Sequence, residues 1–190
     1  MRHRIAIILL PLACALAACG ASATGASAPT EQPTAIPTAT PVPKGGKWDV
    51  SNDTSSFDDS PLVTLMLNSE EQFTNGLGKE IQPVLILRCK ERYTEAYIVT
   101  GVPPDVESGN LDHASVRIRL DQQKAELINM GQSTDGKGLF FPDAAIIDRM
   151  AKHERLLFSF TPFQQSPTEM SFDLRGLPDV LPQLRAACKK

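Results

Sequence analysis

Ala114-Ser115-Val116-Arg117-Ile118-Arg119-Leu120-Asp121 alternates apolar and polar side chains over its whole length. Successive side chains of an extended chain point to opposite faces, so this two-residue period buries one face and wets the other. Ala114, Val116, Ile118 and Leu120 belong to a core face, and Ser115, Arg117, Arg119 and Asp121 to the opposite one. The same period recurs on both sides of this stretch. Upstream, Val63, Leu65 and Leu67 alternate with Thr64 and Met66. Val84 to Arg88 is a continuous apolar run that turns basic, which suits a strand covered on both faces. Polar Lys90-Glu91-Arg92 separates it from a second strand at Thr94 to Thr100, so the two read as a hairpin. Downstream, Ala125 to Met130 is a weaker strand. Leu156, Phe158 and Phe160 share one face of a late strand, and Met170, Phe172 and Leu174 one face of the next, with Ser171 and Asp173 opposite.

Two helices complete the pattern. Pro142 suits a first turn, where a missing N–H costs nothing, and Ile146, Ile147 and Met150 follow at helical spacing. At the C-terminus Asp179 is the expected cap, and Pro182 is expected in the first turn. Leu177, Leu181, Leu184 and Cys188 then share one helix face. About six strands and two helices predict a β-rich α+β domain built on an antiparallel sheet or sandwich.

The N-terminal third has a different texture. Arg2 and Arg4 precede the apolar run Ile5 to Leu16, and Leu16-Ala17-Ala18-Cys19 closes it. A basic start, a short apolar core and small residues at a cut site make a secretory signal, here residues 1–18. The run is too short to span a bilayer comfortably. Cys19 after Leu-Ala-Ala resembles the bacterial lipobox, which implies lipidation of Cys19 and a chain held to a membrane by acyl groups. Residues 19–47 are rich in Ala, Ser, Thr and Pro and read as an extended tether. The folded domain is expected over 48–190. Gly20, in place of an aspartate after the lipidated cysteine, points to the outer rather than the inner membrane, facing the periplasm.

Residues 1–18 hold two of the 19 Lys+Arg and none of the 22 Asp+Glu, so the chain from Cys19 onward carries about −5 with histidine neutral. That balance argues against a nucleic-acid partner. With Cys14 in the signal and Cys19 lipidated, Cys89 and Cys188 remain. Both fall in phase with apolar neighbours. An even pair in an oxidising compartment suggests a disulfide that pins the terminal helix across the sheet; a redox-active pair is the rival reading.

Gly131-Gln132-Ser133-Thr134-Asp135-Gly136-Lys137-Gly138 nearly spells a phosphate loop. Gly138 stands where a Mg²⁺-binding hydroxyl is needed, and Leu139-Phe140-Phe141-Pro142 follows instead of a helix start, so a flexible connecting loop is expected. His113 and His153 lack a second ligand at metal spacing. Asp58-Asp59 reads as a solvated turn before it reads as an acid/base pair. Arg88, Arg117 and Arg119 could form a local basic binding patch, with cross-strand pairing to Asp121 or Asp173 the favoured alternative. Neither catalysis, a metal nor a cofactor is expected.

The ordered set Trp48-Asp49-Val50-Ser51, Asp58-Asp59-Ser60, Leu85-Ile86-Leu87-Arg88-Cys89, Phe172-Asp173-Leu174-Arg175-Gly176-Leu177 and Leu184-Arg185-Ala186-Ala187-Cys188 resembles the VasI/TagO family of type VI secretion-associated proteins. One departure is Lys189-Lys190 after the final cysteine, where the family pattern has an aromatic residue. The resemblance implies an envelope accessory protein with no assigned catalysis, and supports pairing Cys89 with Cys188. Together with the anchor it leads to the expectation of an accessory lipoprotein of a type VI secretion apparatus that binds a protein partner in the periplasm. The alternative is a stand-alone periplasmic binding or inhibitor lipoprotein, for example against cell-wall lytic enzymes.

Overall fold

The computed structural model describes residues 47–106 and 113–189. The expected signal, the lipidation at Cys19 and nearly all of the tether lie outside the described residues. Trp48 opens the described fold with its side chain 4% exposed. It is followed by Asp49–Thr54 (β1), which pairs antiparallel with Pro61–Asn68 (β2). Val63, Leu65 and Leu67 of β2 are buried, as their alternation requires. Phe73–Thr74 (β3) and Glu80–Ile81 (β4) make a small separate hairpin.

Val84–Lys90 (β5) and Tyr93–Val99 (β6) form the expected hairpin. Double-sided cover of β5 is not what the fold provides. Leu85, Leu87 and Cys89 are fully buried, whereas Val84, Ile86 and Arg88 on the opposite face are half-buried. The run is continuous because Ile86 pairs across strands with Met66 and Tyr97, making a partly apolar outer row.

His113–Leu120 (β7) and Glu126–Gln132 (β8) pair next, and Gly138–Phe140 (β9) bridges β8 to β6. Ala144 leads into the short helix Ala145–Met150 (α1), which buries Ile146, Ile147 and Met150. Pro142 lies ahead of that helix rather than in its first turn, and the Asp143 carboxylate accepts the Ala145 N–H at 2.8 Å. Arg155–Phe160 (β10) and Thr168–Asp173 (β11) complete a nine-stranded antiparallel sheet in the order β1-β2-β5-β6-β9-β8-β7-β10-β11. The expectation of about six strands is therefore too low. β1, β3 and β4 are largely exposed and β9 is only three residues long, so they carry little apolar alternation.

The last helix, Leu177–Ala187 (α2), follows Gly176 at φ 83°. Gly176 takes the left-handed turn that a side chain would oppose. Asp179 is in the first turn, not the cap. Pro182 is the sixth helical residue, not a first-turn one, and is tolerated on the exposed side. Leu177, Val180, Leu181 and Leu184 are buried, and α2 packs on β2 and β5. Cys188 at its end is bonded to Cys89 of β5, with Cα atoms 5.7 Å apart. One continuous core joins the inner faces of the sheet to both helices. The protein has the expected β-rich α+β fold, with its C-terminal helix pinned by a disulfide.

The far edge of the sheet returns beside the chain that leaves β2. The Glu70 N–H donates to the Ser171 carbonyl at 2.8 Å, and the Ser171 N–H and hydroxyl donate to the Glu71 carboxylate at 2.5 and 2.7 Å. Ser171 and Asp173, expected on a wet face, are consequently 3% and 8% exposed. The Gly131–Gly138 segment closes a hairpin that connects β8 to β9. Asp135 accepts from the Ser133 hydroxyl and the Lys137 N–H, at 2.5 and 3.1 Å, and Gly136 takes φ 71°. A phosphate loop needs a helix to follow it, and a strand does.

Candidate functional site

The outward-facing positions of β7, β10 and β11 align in rows set by register. Arg119 lies opposite Leu157, and Leu157 opposite Ser171; one step along, Arg155 lies opposite Asp173. Asp121, just past β7, ties this end together by accepting the N–H groups of Glu154 and Arg155 through Oδ1, at 3.0 and 2.9 Å. These strands, with the turns that precede β8 and β10, wall a cavity of about 490 Å³. Arg119, Asp121, Glu154, Arg155, Asp173 and Arg175 contribute its charge, and Leu157 its apolar floor. The volume falls within the range of small-ligand pockets, about 300–1,000 Å³.

Most charges around this cavity are already paired. Arg175 grips Asp173 in a two-pronged bond, Nε to Oδ1 at 2.7 Å and Nη2 to Oδ2 at 2.6 Å. That bond holds the Asp173 carboxyl below its ordinary range and pushes Arg175 up. His153 Nδ1 meets Asp121 Oδ2 at 2.8 Å. Burial raises the Asp121 carboxyl, but the His153 contact and two backbone N–H groups outweigh it and leave it lowered. Arg155 reaches Glu70 at 3.3 Å. Arg119 differs. It makes no ion pair among the described residues, and its Nε is buried without a hydrogen-bond acceptor.

The three arginines singled out from the sequence do not form one patch. Arg88 is on β5, four strands from β7 in the sheet order. It bonds Glu95 at 2.5 Å and stands 5.2 Å from the centre of the Tyr97 ring, which stacks on Phe140 at 4.6 Å. Arg117 is exposed on β7, opposite Ser159 of β10 and Leu127 of β8. Neither Asp121 nor Asp173 pairs with a β7 arginine. Each is claimed by a closer group, His153 and Arg175. Asp58 is held below its ordinary range by the hydroxyls of Ser55 and Ser60 within its own turn. Among the described residues no three His, Cys, Asp or Glu side chains cluster for a metal. No described helix is long and apolar enough to cross a membrane.

No family model and no curated protein matches the chain. Among solved structures, it is similar to the crystal structure of invasion associated protein B from Bartonella henselae, at 15% identity and a TM-score of 0.49, over 76% of this chain and 96% of that one. That likeness carries no function to this chain.

Arg155, Arg175, His153 and Glu71 were not singled out in the sequence as site residues. Asp173 and Arg175 stand two apart, a spacing that could have suggested their local pairing. Asp121 and His153 are separated by 32 residues, and Glu71 and Ser171 by 100, so only the fold brings them together.

Proposed function

We propose that this chain is a membrane-anchored periplasmic accessory lipoprotein that binds a protein partner and serves a type VI secretion system. The observation that carries the reading is the Cys89–Cys188 bridge. It joins two cysteines that belong to the residue set resembling the VasI/TagO family, and a stable disulfide suits an exported protein. The lipobox-like Leu16-Ala17-Ala18-Cys19 supports export and anchoring from the opposite end of the chain.

Two measurements test the reading. Labelled palmitate should enter the wild-type protein and not Cys19→Ala, which should leave the membrane fraction. Deletion of the gene should impair contractile secretion, and its neighbours should encode sheath or membrane-complex proteins. Unchanged secretion with no such neighbours sinks the secretion role. Capture of lysozyme-like enzymes by the purified protein would then favour the stand-alone inhibitor.

A further inference from the structure

Arg119 presents an unspent cation in a walled cavity. Its Nε is buried and meets no acceptor, and no carboxylate pairs with it among the described residues. A buried donor left unsatisfied loses its solvation without recovering a bond, a loss that is larger when the group is charged. Two of the three cavity carboxylates are taken, Asp173 by Arg175, and Asp121 by His153 and two backbone N–H groups; the third, Glu154, makes no ion pair with Arg119. The cross-strand neighbour of Arg119 is the aliphatic Leu157, which offers no acceptor.

We propose that this cavity binds the carboxylate of a peptide ligand, with Arg119 as its anchor. A guanidinium presents parallel N–H groups that match two carboxylate oxygens, and Leu157 supplies a floor for a small aliphatic body. The charge count selects a monoanion. Arg119, Arg155 and Arg175 are balanced by Asp121, Glu154 and Asp173 around the cavity. A dianionic phosphate would meet the three carboxylates with a single guanidinium, that of Arg119, left without an ion pair among the described residues. The source of the carboxylate is an acidic side chain or the chain terminus of the bound polypeptide. This inference rests on reading the chain as a binding protein and adds the chemistry that its partner must present.

The test is a titration of the isotope-labelled full chain, followed at the Arg119 Nε–H resonance, which is assigned by its loss in Arg119→Lys. One probe is N-acetyl-trialanine with a free terminal carboxylate, the second is N-acetyl-glutamate amide, and the control is N-acetyl-trialanine amide. At least one carboxylate should shift the resonance saturably, and the control should not; the tighter of the two identifies the source. Arg119→Lys, followed at backbone amides around the cavity, should weaken binding on the order of tenfold or more, because it keeps the charge and loses the fork. Arg117→Lys should leave it unchanged. The inference is overturned by no saturable shift with either carboxylate, by equal binding of the amide, by unchanged affinity in Arg119→Lys, or by tighter binding of inorganic phosphate. These measurements need no partner, so their failure leaves the secretion and palmitate tests standing.

Discussion

Glu71 stands in for a strand that β11 lacks. Its carboxylate takes the N–H and the hydroxyl of Ser171, donors that an edge strand would otherwise offer to another chain. Burial pushes the Glu71 carboxyl up, but these two donors outweigh it and hold it below its ordinary value of 4.5. A carboxyl lowered by folding adds stability that is complete above its unfolded value and is lost as pH falls through the folded one. Asp121 and Asp173 are lowered too and act in the same direction. Glu71→Gln should therefore flatten the acid limb of the stability curve. It should also lower stability at neutral pH by no more than about 1 kcal/mol, since the residue is exposed and solvent screens the contact. Urea titrations across the acid range check this, and identical curves for the two proteins would show that the contact carries no energy.

The β5–β6 hairpin shows what an element can tolerate. Its two turn residues, Glu91 and Arg92, take φ of 50° and 65°. Both central positions of such a turn favour Asn and Gly, because a β-carbon opposes the left-handed region. The cost falls near 1–2 kcal/mol per residue for an ordinary side chain. Flanking pairing offsets it: all seven β5 residues pair with β6, and Leu85, Leu87 and Cys89 are fully buried. Replacing the turn by Glu91→Asn with Arg92→Gly should raise the thermal midpoint, by roughly 1–2 kcal/mol in stability. A fall in the midpoint would mean that the Glu91 and Arg92 side chains contribute more than their backbone costs.

At the scale of the molecule, the bridge between Cys89 and Cys188 spans 99 residues and joins the end of α2 to β5, an interior strand of the sheet. A link of that length restricts the unfolded chain strongly, and removal of a native disulfide costs about 2–5 kcal/mol. Cys188→Ser, or reduction of the wild type, should lower the urea midpoint by a corresponding amount. The core behind the bridge is continuous, with Leu177, Val180, Leu181 and Leu184 still buried against β2 and β5. Alpha-helical signal should therefore persist in the variant below its midpoint. Loss of the helix at neutral pH without denaturant would show that packing alone does not hold α2.

Apolar alternation by itself determined the longer strands, because burial of one face imposes a two-residue period that can be read without knowing the partner. It placed Ala114, Val116, Ile118 and Leu120 of β7, and Leu156, Phe158 and Phe160 of β10, in the core. The same reasoning determined the apolar face of α2 and the inward direction of both bridging cysteines. It did not reach β1, β3, β4 or β9, whose stability comes from neighbouring strands. The charged side chains were least legible. Arg119 and Asp121 were placed correctly on the outer face, but which carboxylate meets which cation depends on distances between strands far apart in the chain. Only the tertiary structure brought His153 to Asp121 and Glu71 to Ser171. It left the Arg119 Nε without an acceptor, while the nearby Asp121 and Asp173 carboxylates bond His153 and Arg175.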